Sequence, residues 1–201
     1  MPLSVTIADY GVGNLYSIRR SLAMCGARTE VVTDMSRLLD ADCIVLPGVG
    51  AFDRCMERLG PYRSEIVSKL ESGTPAIGIC IGMQLMFGGS EEGSEAGIGM
   101  YPGTVRRLPC RMVPHMGWNA VSSDDPLFDG IEDGRFYFVH SYYGDADDRS
   151  VVRGETEYEG TVVPSVFRKV NAYGTQFHPE KSSFAGRRFL ENFIGFAEGC
   201  L

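Results

Sequence analysis

Three short runs of apolar residues, 3–8, Cys43–Leu46 and 75–80, each end abruptly at glycine, and they limit the folds open to this chain more than any other feature. The breaks are Asp9-Tyr10-Gly11-Val12-Gly13, Pro47-Gly48-Val49-Gly50 and Gly78-Ile79-Cys80-Ile81-Gly82. An apolar run of four to six residues between such breaks reads as a strand covered on both faces. The β-branched segment 29–32 adds another strand. Between the strands the spacing turns helical. Residues 14–24 carry Leu15, Ile18, Leu22 and Ala23 on one face, with Gly26 as a stop. A charged helical stretch runs from Gly50 to about Glu71 and is broken by Pro61, and a further helical segment runs from Cys80 through Phe87. Strands alternating with helices predict an α/β fold with a mostly parallel central sheet and helices on both faces.

After Gly99 the texture changes. Short β-rich runs at 103–108, 136–139, 151–153, 162–168 and 172–177 have little helix between them, which predicts an antiparallel β extension in the C-terminal half. Residues 183–198 read as an amphipathic helix with Phe184, Phe189, Phe193 and Phe196 near one face. With no repeat and no long linker, residues 1–201 read as a single domain. The net charge of -7 argues against a nucleic-acid backbone or an anionic membrane as partner. No run of about 18 apolar residues occurs. The start, Met1-Pro2-Leu3-Ser4-Val5, lacks the layout of a signal peptide. Six cysteines without a Cys-x-x-Cys pair suggest free thiols in a reducing cytosol, so a cytoplasmic location is expected. Three isolated histidines disfavour zinc, and neither a metal nor a cofactor is expected.

Cys80 stands apart from the other cysteines. Gly78-Ile79-Cys80-Ile81-Gly82 joins a buried strand to a helix, the pattern of a tight nucleophile elbow in which only glycine fits beside the strained residue. The free amides of the following helix favour a thiolate, and the Ile81 N–H is placed to hold an oxyanion. Alone, the pentapeptide fits a buried structural cysteine equally well. Gln176-Phe177-His178-Pro179-Glu180 supplies what it lacks. His178 can pass a proton to a leaving amine, and Glu180 can orient the imidazole. His115 and His140 have no acid close behind them and read as hydrogen-bonded structural histidines.

These residues resemble the class I (triad) glutamine amidotransferases, through Gly78-Ile79-Cys80-Ile81-Gly82-Met83-Gln84 and Phe177-His178-Pro179-Glu180-Lys181-Ser182. Four further segments are similar to the glutaminase subunits of imidazole glycerol phosphate synthases: Asp9 to Leu15, Pro47-Gly48-Val49-Gly50-Ala51-Phe52, Pro114-His115-Met116-Gly117-Trp118-Asn119 and Val139-His140-Ser141-Tyr142. The motifs span nearly the whole chain, and the resemblance implies the flavodoxin-like fold of the class I glutamine amidotransferases. Ile81, where many relatives have leucine, is a volume-conserving departure.

The resemblance implies that Cys80 attacks the side-chain amide of glutamine, His178 protonates the ammonia and Glu180 holds His178, through a glutamyl thioester. It places glutamine against Gly50, Gln84, Glu92, Ser141 and Tyr142. It implies an oxyanion hole from Ile81, Val49 and Gly50, with a peptide near Val49 that reorients on activation. It also implies a heterodimer with a (β/α)8-barrel cyclase that receives the ammonia and makes imidazole glycerol phosphate, with Asn14, Trp118, Tyr137 and Lys181 at or beside the interface. A paralogous glutaminase serving a surface-sugar amidotransferase shares nearly all these motifs, and a co-purifying partner would separate the two. A non-catalytic regulatory module on the same fold is the alternative from another class.

Overall fold

Side chains that alternate between the two faces of each short, buried strand let one sheet serve two cores. The computed structural model describes residues 2–11 and 14–201. Val12 and Gly13, which belong to the expected first turn, lie outside the described residues. The elements run β1 (Ser4–Ala8), α1 (Leu15–Met24), β2 (Arg28–Val32), β3 (Cys43–Leu46), α2 (Phe52–Leu59), α3 (Arg63–Glu71), β4 (Ala76–Ile79) and α4 (Ile81–Gln84). There follow β5 (Gly103–Arg107), β6 (His115–Ala120), β7 (Arg135–His140), β8 (Tyr142–Ala146), β9 (Val152–Tyr158), β10 (Thr161–Lys169), β11 (Ala172–Thr175) and α5 (Ser183–Glu198).

The main sheet has the order β2-β1-β3-β4-β11-β10-β9. Its first five strands are parallel, and β10 and β9 add on antiparallel. In β3, Ile44 and Leu46 face one core with Phe52, Met56, Ile66 and Leu70 from α2 and α3. Cys43 and Val45 face the other, with Ile18 and Leu22 from α1 and Phe189 and Phe193 from α5. Side chains of period two therefore bury both faces, as the unbroken apolar runs predicted. The chain reverses its winding between β1 and β3. The loops after β3 and β4 thus open at the carboxyl edge of the sheet, where such folds leave a crevice.

Three expectations need correction, and two strands were missed. The helix foreseen from Cys80 through Phe87 ends as α4 at Gln84, because Met86 and Phe87 bond back three residues, to Met83 and Gln84, and tighten the chain into turns. The antiparallel extension of the main sheet is present but consists only of β10 and β9. The runs near 103 and 136 instead form separate two-stranded sheets, β5 with β8 and β6 with β7. Strands β6 and β8 were not foreseen, since Gly117 and Gly144 and several polar residues dilute their alternation. Phe184 is 73% exposed while Phe189 and Phe193 are buried, so it does not share their face of α5. Among the described residues no helix is long and apolar enough to cross a membrane.

Candidate active site

Cys80 sits at the sharp turn from β4 to α4 with φ of 51° and ψ of -108°. A non-glycine residue there stores about 1–3 kcal/mol of backbone strain, which the surroundings must hold. They do so through packing that admits no side chains. A Cβ on Gly82 would stand 1.9 Å from the Leu46 carbonyl oxygen, and one on Gly78 would stand 2.6 Å from the Gly82 carbonyl oxygen. Both obstacles are backbone and cannot swing aside. Gly82→Ala is expected to cost about 2–4 kcal/mol, read as a lowered urea midpoint. A midpoint within experimental error of wild type would show that the elbow tolerates a side chain.

Behind the sulfur, His178 Nδ1 lies 2.8 Å from Glu180 Oε1, and both side chains are almost wholly buried. His178 Nε2 and Glu180 Oε2 are buried without a well-formed hydrogen bond. Atoms left in that state cluster where a proton is to be moved. Burial pushes the imidazole pKa down. Cys80, through its charge and as a hydrogen-bond partner, and then Glu180 more than offset this and raise it to about 9. A group so raised carries a proton at neutral pH, beside the sulfur.

In front of Cys80 opens a cleft of about 320 Å³ lined by Val49, Gly50, Ile81, Gln84, Glu92, Pro114, Val139, His140, Ser141 and Tyr142. The expected glutamine-pocket residues Gly50, Gln84, Glu92, Ser141 and Tyr142 all reach this one cleft. Ile81 is the first residue of α4, so its N–H has no intrahelical partner. The Pro47-Gly48-Val49-Gly50 loop lies directly on the elbow, because a Cβ on Gly48 would meet the Ile79 carbonyl oxygen at 1.8 Å. The buried Tyr10 hydroxyl donates to the Pro47 carbonyl and pins the start of that loop. Burial, then Cys55, Cys80 and Asp9, hold the Tyr10 phenol well above its ordinary pKa, so it stays a donor. Val49 at the far side remains 38% exposed.

Glu92 Oε2 accepts from the Phe52 N–H at 3.2 Å. Its carboxyl pKa is raised by burial, lowered by that bond and raised again by Asp53. Asp53 accepts from the Ser94 and Glu95 amides at 3.0–3.1 Å and so fixes the loop that carries Glu92. Sequence reasoning passed over Asp53, an ordinary acid in the first turn of α2.

It also passed over Gln176, which is fully buried. Gln84 Nε2 donates to the Tyr142 carbonyl at 2.9 Å and to Gln176 Oε1 at 3.3 Å. A backbone carbonyl can only accept, so this bond fixes which way the Gln84 amide points, and Gln84 in turn fixes Gln176. Gln176 Nε2 is thereby aimed at Cys80 Sγ, 3.6 Å away. A glutamine beside the histidine motif in an apolar stretch was the available signal, because a buried amide must have partners.

The expected interface residues divide. Trp118 is half exposed and packs edge-on against Tyr137 at 6.2 Å, and the Lys181 ammonium lies 6.0 Å from the Tyr137 ring. These three share one face. Asn14 caps α1 by accepting from the Ser17 N–H at 3.2 Å, a structural task of its own.

Comparison with known proteins shows the family and the fold. A family model described as glutamine amidotransferase class-I matches residues 6–195. The chain is 45% identical over 204 residues to a Halobacterium salinarum protein named imidazole glycerol phosphate synthase subunit HisH, covering 96% of this chain and 93% of that one. Proteins of the same name from Bacillus cereus and Corynebacterium diphtheriae are 43% and 44% identical, with at least 94% of each chain covered. A solved structure described as a glutamine amidotransferase superposes with a TM-score of 0.77 at 16% identity, covering 96% of this chain and 98% of that one. A structure described as PurLQS from Thermotoga maritima gives 0.71 at 18%, covering 99% of both chains. At these identities the two structures speak for the fold alone.

Proposed function

The chain belongs to the class I glutamine amidotransferases, among the glutaminase subunits of imidazole glycerol phosphate synthase in histidine biosynthesis, and from that premise we propose that Cys80, His178 and Glu180 hydrolyse the glutamine that supplies its ammonia. The observation that carries the proposal is the strained Cys80 at the mouth of the cleft, with the His178–Glu180 pair 2.8 Å apart behind it. The Cys80 thiolate attacks the side-chain carbonyl carbon of glutamine. The oxyanion that forms is met by the Ile81 N–H and the loop bearing Val49 and Gly50. His178, carrying its proton, gives it to the departing nitrogen, and ammonia leaves as the thioester forms. Water, losing a proton to His178, then cleaves the thioester to glutamate and frees the thiolate.

Glu92 is the acid on the cleft wall for the α-ammonium group of glutamine. Gln84 and the backbone of Ser141 and Tyr142 orient the rest of the substrate. Free ammonia would be protonated and lost in water, so a heterodimer partner of (β/α)8-barrel form receives it. The exposed Trp118 and Met116, with Tyr137 and Lys181, offer that partner aromatic anchors beside a cation. The Val49 peptide, between two glycines, reorients to complete the oxyanion hole when the partner and its acceptor are bound. The surroundings support this, because Tyr10 holds only the Pro47 end of the loop.

Reconstitution tests the reading. The lone chain is expected to hydrolyse glutamine slowly, and the barrel partner with its nucleotide substrate is expected to raise the rate at least about 100-fold. A high rate in the lone chain would sink the switch at Val49. No glutaminase in either state would sink the assignment.

A further inference from the structure

His115 and His140, which the chemistry above does not use, form a buried pair on neighbouring strands. They face each other in the β6–β7 register, with His115 Nδ1 3.1 Å from His140 Nε2. His140 Nδ1 lies 2.8 Å from the Tyr142 carbonyl oxygen. That oxygen is the acceptor that also fixes Gln84.

The direction of every bond in this run can be deduced from either end. At the Tyr142 end the acceptor is a backbone carbonyl, so His140 Nδ1 must carry the hydrogen. In the neutral ring Nε2 is then an acceptor, and His115 Nδ1 must donate to it. His115 Nε2 is left as an acceptor. At the other end, Asn119 Oδ1 accepts from the Ala120 N–H at 2.8 Å, and its Nδ2 donates to the Glu157 carbonyl at 2.8 Å. The Asn119 amide is therefore oriented without reference to either histidine. Its second N–H points at His115 Nε2, 3.4 Å away, and demands the acceptor that the first argument left there. The two ends agree on one set of tautomers.

Packing also holds the His115 ring in place. His115 is stacked between Phe138 and Tyr158, with centroids 4.6 and 4.0 Å away. Burial lowers the His115 pKa to about 4. Burial likewise lowers that of His140 to about 3, with the Tyr142 bond opposing it and the charges of His115 and His178 adding to it. Both are therefore held neutral near pH 7, and only a neutral pair can pass the bonds along in one direction.

We propose that His115 and His140 are positioning residues of the glutamine site. Their hydrogen-bonded run from Asn119 holds the Tyr142 carbonyl where it sets Gln84, and through Gln84 the Gln176 amide, against Cys80. The inference rests on reading the cleft as a glutamine site, but its first test does not. In the full-length chain with nitrogen-labelled histidine, NMR is expected to show both rings neutral with hydrogen on Nδ1 from pH 5.5 to 8. Hydrogen on Nε2 of either ring, or titration of either within that range, overturns the run.

The second test uses the complex with the barrel partner. His140→Phe keeps a ring and removes both bonds, and is expected to raise KM for glutamine roughly three- to tenfold with kcat changed less than about twofold. His140→Asn offers an N–H near the Nδ1 position and is expected to recover most of that loss. An unchanged KM in the first variant, or an Asn variant no better than Phe, overturns the positioning role. A wild-type complex without glutaminase activity overturns the glutamine reading instead, and the tautomers still decide the run.

Discussion

Replacing Cys80 by alanine is expected to abolish glutamine-dependent synthesis by the complex, while synthesis from added ammonium salts continues at the wild-type rate. The loss should be on the order of 10⁴ or more, because among the described residues lining the cleft Cys80 is the one thiol, and neither hydroxyl there, Ser141 or Tyr142, sits on the strained elbow. The fold should survive. Alanine carries the same Cβ as cysteine, so the positive φ costs the same in both, and the packing against Gly78 and Gly82 is untouched. The unfolding free energy from urea titration should therefore stay within about 1 kcal/mol of wild type. The ammonia arm separates the chemistry from the assembly, since a variant that failed to fold or dock would disturb both activities. Survival of glutamine-dependent synthesis would show that Cys80 is not the nucleophile.

What the sequence disclosed, and what it withheld, follows the range over which each constraint acts. The elbow was legible because its constraint is local. Gly78 and Gly82 flank Cys80 in the chain, and the clashes that require them involve neighbouring backbone at Gly82 and Leu46. Strands β1, β3 and β4 were legible because burial on both faces leaves short runs that are almost wholly apolar. Strands β6 and β8 were not, because each is half-exposed and polar, and its partner lies many residues away. The same distance hid the His115–His140 pair. Each histidine alone is an ordinary structural residue, and only the register of β6 on β7 makes them one unit. The residues of the glutamine pocket were named through family resemblance. Chemistry alone gave Glu92 no standing, since it is an acid in a run of loop acids until Phe52 and the Asp53-anchored loop are seen to hold it on the cleft wall. Phe184 failed for a simpler reason. At 3.6 residues per turn it points well away from Phe189, and its exposure leaves it on a surface near Trp118.

The pairing of His178 with both Glu180 and Cys80 leads to the second large effect. His178→Asn is expected to lower glutamine turnover by about 10²–10⁴-fold, the usual worth of a positioned acid and base. Ammonia-dependent synthesis should again be spared. The variant should also change how stability depends on pH. The folded-state pKa of His178 is raised from 6.5 to about 9, against the opposing effect of burial, chiefly by Cys80 and then by Glu180. A raised pKa means that the folded state binds the proton more tightly. The stability it contributes is fully present below pH 6.5 and is lost as pH rises through about 9. Wild type should therefore lose stability over that window, and His178→Asn, with nothing to titrate, should lose less. Cys80→Ala removes the larger of the raising causes, so burial gains weight and the histidine should titrate lower than in wild type. Glu180→Gln removes the smaller one and should lower it less. Urea midpoints measured from pH 6 to 10 for the four proteins decide the matter. Parallel curves would mean that His178 is not held charged by Cys80 and Glu180, and that the proton given to the departing ammonia comes from elsewhere.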